Sequence, residues 1–103
     1  MAHRLLNSAS DPQRLIRALR LKQDLQQGLL TCLEQIWSAD SIIGLSQAHG
    51  RALGVSTGLG LAHAVTPEQF KVLAEAYLRA FDVRLAMFMH QSSRPSLGGT
   101  CEL

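Results

Sequence analysis

Histidine, cysteine and the basic side chains are the groups in this 103-residue chain with chemistry to offer. His3, His49, His63 and His90 share no metal-ligand spacing, and the two middle ones are fourteen residues apart, so no metal or other cofactor is expected. Cys32 falls on a helical apolar arc as a small buried hydrophobe. Cys101 lies in a polar tail with only Arg94 nearby to activate it. Two cysteines so placed make neither a zinc pattern nor a disulfide framework.

Gly54-Val55-Ser56-Thr57-Gly58-Leu59-Gly60 has the glycine content of a phosphate-cradling loop, yet no lysine follows in the required position and no strand precedes it. Arg14, Arg17, Arg20 and Lys22 form the one basic concentration. With Arg4, and against Asp11 alone, they give the first 22 residues a net charge of +4, while the rest of the chain carries −2. Such a segment can contact an acidic protein surface or nucleic acid. An enzyme could also hold an anion with these arginines if they converged on a common pocket, but no acid or base stands ready to move a proton. The chain therefore reads as a non-enzyme.

Composition sets the frame for these side chains. A chain of this length holds one domain, and 47% hydrophobic against 17% charged residues is far too apolar for disorder. No run approaches the roughly 18 apolar residues of a membrane span, and the start lacks a signal peptide's apolar stretch, so a soluble, cytoplasmic protein is expected.

Three helices follow from the pattern. Ser10-Asp11-Pro12 offers a capping carboxylate and a proline at the first helical position, which predicts a long helix from Pro12 to about Ser38. Its apolar arc is interrupted in the middle by Lys22 and Gln26. Ser38-Ala39-Asp40-Ser41 starts a second, shorter helix that should end near Leu53 or Gly54, because glycine costs about 1 kcal/mol in a helix interior. If it instead continued, Gly50, Gly54, Gly58 and Ala62 would form a smooth stripe for close backbone approach. Thr66-Pro67-Glu68-Gln69 is a capping box that starts a third helix running to about His90. Residues 1–10 are then a flexible N-terminus, 11–90 the helical domain and 91–103 a disordered tail.

On the third helix Lys71, Glu75, Arg79 and Asp82 form a narrow polar strip of zero net charge, which would make a poor DNA-reading face. Nearly all the rest is apolar, an arc of roughly 240° where a surface helix needs little more than 100°. One chain of three helices cannot cover that arc and the first helix's face together, unless this helix is simply the centre of a compact monomer. The reading is an all-α, long-short-long three-helix bundle completed by homodimerisation. The interface would use Phe70, Val72, Leu73, Tyr77, Phe81, Val83, Arg84, Leu85, Met87 and Phe88. Arg84, inside the arc, must find a carboxylate, a helix C-terminal carbonyl or the rim: it would snorkel to solvent, or stack on an aromatic ring and pair with an acid of another chain. The function expected is that of a small bacterial-type regulatory or adaptor protein, antiactivator-like, which binds itself and a partner protein through this face and masks the partner's own dimerisation surface. The alternative is a nucleic-acid-binding regulator that uses the basic N-terminal helix.

Overall fold

A computed structural model describes residues 11–92, with side chains described for 11–90; the expectations for residues 1–10 and for the tail beyond Ser92 fall outside it. The described chain is all-helical: α1 (Pro12–Ala18), α2 (Gln23–Trp37), α3 (Ile42–Leu61) and α4 (Pro67–Ser92). No helix among these residues is long and apolar enough to cross a membrane. The last helix packs on each of the other three and is the axis of the fold.

The expected long first helix is in fact two. Asp11 caps α1 as anticipated, its carboxylate accepting from the Gln13 N–H at 3.1 Å. The helix then stops, and Arg20 takes a left-handed φ of 55°. Lys22 and Gln26 supply the physical reason. A straight helix would drive both into the apolar seam; the turn puts Lys22 in solvent at the N-cap of α2 and folds α1 back until Ile16 is wholly buried. The left-handed residue costs about 1–2 kcal/mol. Burial of Ile16 recovers about 2 kcal/mol, and half-buried Leu15, Leu19 and Leu21 add to it, so the hairpin wins. Gln26 remains as the flaw, with Oε1 buried and without a partner among the described residues.

The second helix does not end at Leu53 or Gly54. It continues to Leu61, because its inner face keeps burying side chains past that point. Leu45, Ala48, Ala52 and Ser56 line that face, and the Ser56 hydroxyl donates to the Ala52 carbonyl at 2.9 Å, so no buried hydroxyl is orphaned. The close-approach stripe is therefore Ala48-Ala52-Ser56 and not the expected glycine stripe. Gly50, Gly54 and Gly58 point outward, where an added Cβ would meet nothing within 4 Å. The glycine-rich segment is helix, not a phosphate-binding loop.

The end of α3 is a left-handed cap. His63, at φ 61°, sends its N–H to the Gly60 carbonyl at 3.1 Å, and Ala64 sends its own to Leu59 at 2.8 Å. The capping box then forms as the sequence predicts: Gln69 N–H donates to the Thr66 hydroxyl at 3.0 Å, and Thr66 N–H donates to the Gln69 side-chain carbonyl at 2.8 Å.

Candidate functional site

The capping box fixes the rotational setting of α4, and with it the face each later residue shows. Leu73, Ala76, Tyr77 and Ala80 are fully buried against the other helices. The most extensive helix contact of the molecule is between α4 and α3, whose inner face carries the small Ala48, Ala52 and Ser56. Three and seven residues past Ala80, on the same stripe of α4, stand Val83 and Met87. Ala76 and Ala80 are 0% exposed, but Val83 and Met87 are each 50% exposed. The inner face of α4 thus outruns the helices that cover it.

The structure separates the expected interface residues into three groups. Leu73 and Tyr77 lie wholly inside the chain's own core. Phe70, Val72, Phe81, Arg84, Leu85 and Phe88 are half-buried, and Val83 and Met87 are exposed. The expected set left out Leu78 and Met89 on α4 and Ile42, Ile43, Val55 and Leu61 on α3, all large, apolar and exposed. Leu78 was legible in the apolar arc, whereas Met89 falls at the angle of the polar strip; Ile42 and Ile43 open the expected second helix, but Val55 and Leu61 lay beyond its expected end. The polar strip is as read: Lys71, Glu75, Arg79 and Asp82 are exposed, and Arg79 Nε pairs with Glu75 Oε2 at 2.8 Å.

Arg84 finds its partners within the chain. One terminal nitrogen donates to the carbonyl of Ala39, just past the end of α2, where the helix dipole is negative. The guanidinium lies over the Phe88 ring at 4.9 Å, and its other terminal nitrogen meets the Met87 sulfur at 3.8 Å. Its Nε is buried with no partner among the described residues. The side chain therefore ties α4 to the α2–α3 link and holds Met87 beside it.

Two other reactive side chains are muted by burial. His49 stacks on Phe81 with ring centroids 4.6 Å apart, and desolvation lowers its pKa, an effect the nearby Asp82 carboxylate partly opposes. Burial raises the Cys32 pKa, with Arg51 pulling the other way, so the thiolate that nucleophilic chemistry needs is disfavoured. Among the described residues, no three His, Cys, Asp or Glu side chains group closely enough to hold a metal ion.

Of the basic residues, Arg14, Arg17 and Arg20 line one shallow hollow of about 480 Å³, while Lys22 is exposed and stands outside it. No protein-family model matches the chain, and no curated protein or solved structure matches it.

Proposed function

We propose that the chain is a non-enzymatic regulatory or adaptor protein of the cytoplasm that binds other polypeptides through the distal half of α4, in the first instance a second copy of itself. The observation that carries this reading is the run Ala76-Ala80-Val83-Met87, one stripe that is core at its start and half-exposed at its end. Apolar surface continuous with a core is where another chain adds burial at least cost in desolvation. Methionine suits such a surface, because its unbranched, polarisable side chain adapts to partners of different shape, and Met87 stands there exposed. A helix face of this kind can take the place of a partner's own contact and so mask its dimerisation surface.

Sedimentation velocity of the full chain at micromolar concentration tests this reading. Phe81→Glu is unsuitable, since Phe81 packs on His49 and its loss would strike the fold. Val83→Glu combined with Met87→Glu places two charges on the exposed part of the stripe alone. The wild type and Arg79→Glu should sediment as dimers, and the double variant as a monomer with unchanged helical circular dichroism. A monomeric wild type, or a double variant that still dimerises, would refute the proposal.

A further inference from the structure

The reversal between α1 and α2 builds a feature that the α4 stripe leaves unexplained. Packed as a hairpin, the two helices enclose a groove of about 300 Å³. Trp37, Glu34, Thr31 and Gln27 line it from α2, and Gln13 and Arg17 from α1. Arg17 also lines the hollow of about 480 Å³ that it shares with Arg14 and Arg20, so the two concavities meet at its side chain. On a continuous helix Arg14 and Arg20 would point about 120° apart. The left-handed turn at Arg20 brings them to one hollow. Among the described residues none of the three arginines makes an ion pair.

The chemistry is divided along the groove. At one end three arginines line one hollow with no carboxylate among its lining residues, so their guanidinium groups are within reach of a phosphate placed there. At the other end a carboxylate repels phosphate and asks instead for N–H donors, which the edge of a nucleobase provides. Beside it are amides able to donate and accept, and Thr31, whose hydroxyl proton is given to the Gln27 carbonyl at 2.9 Å and whose lone pairs can accept. Trp37, 36% exposed, offers an aromatic ring on which a base can stack. We infer that this groove binds a nucleoside phosphate, with the base at Trp37 and Glu34 and the phosphate at Arg14, Arg17 and Arg20. The ligand is either a free nucleotide or a segment of single-stranded nucleic acid. This inference stands apart from the helix-face reading, since it uses neither α3 nor α4.

Trp37 is the only tryptophan in the chain, so its fluorescence reports on the groove directly. The full chain is titrated with the four nucleoside monophosphates, the matching nucleosides, inorganic phosphate, a short single-stranded oligonucleotide and a glutamate-rich peptide. At least one monophosphate or the oligonucleotide should quench Trp37 saturably, and the nucleosides should bind about tenfold more weakly or worse for want of the charge-assisted contacts. Tighter binding of the oligonucleotide identifies a nucleic-acid strand as the ligand, and equal affinity identifies the free nucleotide. Arg14→Ala with Arg20→Gly should weaken binding about tenfold at unchanged helical content, glycine being chosen because it accepts the left-handed turn. Absence of quenching by every nucleotide and by the oligonucleotide, quenching indifferent to the paired substitution, or equal binding of the acidic peptide would each overturn the inference.

Discussion

Tyr77 shows how a polar atom can be read as surface and turn out to be core. Its ring is wholly buried, and its hydroxyl donates to the Leu29 carbonyl at 2.7 Å, joining α4 to α2 across 48 residues of sequence. Burial pushes its pKa well above the usual tyrosine range. Tyr77→Phe should cost about 1 kcal/mol in chemical denaturation, because the Leu29 carbonyl loses only its second partner. A cost near zero would mean that the hydroxyl bond adds nothing to the packing of the ring. Arg84 teaches the same lesson from the other side. Its place in the apolar arc was legible, and so was its need for an aromatic ring and a negative partner. A carbonyl at a helix C-terminus was among the partners it could take, but that Ala39 would supply it was not legible, since nothing local to Arg84 announces a contact 45 residues away.

His49 gives the residue scale its pH dependence. Desolvation holds its folded pKa below the ordinary 6.5, so between those two values the unfolded chain binds a proton that the folded chain refuses. Its contribution is therefore intact above 6.5, declines as pH falls through that value, and levels off below the folded pKa. Melting temperatures taken between about pH 8 and pH 5 should fall toward acid in the wild type and fall less in His49→Phe, which keeps a ring against Phe81. Parallel curves for the two proteins would show that His49 takes no part.

At the scale of elements, the sequence was most informative where side chains cap backbone and least where backbone conformation alone decides. Asp11 and the Thr66–Gln69 pair fixed two helix starts because their oxygens satisfy N–H groups that every helix leaves open. The two left-handed residues, Arg20 and His63, carried no such mark. Each is adopted against its own preference because the packing of flanking apolar residues demands a turn there. Lys22 and Gln26 did signal trouble in the first helix, although they could not say that the chain would reverse. The glycines misled in a specific way: their cost argued for an early end to α3, but Gly50, Gly54 and Gly58 lie on the face opposite the one whose burial holds the helix together. His63→Gly follows from the same reasoning. Glycine has no Cβ to clash at φ 61°, so thermal or denaturant unfolding should show a gain of about 1 kcal/mol. A loss would mean that the His63 side chain does more for the cap than its backbone strain takes away.

For the molecule as a whole, the width of the apolar arc on α4 has two explanations that the fold combines. Much of it is consumed internally, since α4 is the central helix and meets all three others, which is why Leu73 and Tyr77 do not reach the surface. The remainder lies beyond the reach of those helices, at Val83 and Met87. The account of function rests on that remainder. Its most direct test is an isotope-filtered NOE experiment on a mixture of methyl-labelled and unlabelled wild-type chains, which detects only contacts between different molecules. The account predicts intermolecular NOEs from the Val83 and Met87 methyl groups. A sample without them, tumbling at the rate of a single 11.3 kDa chain, would contradict it.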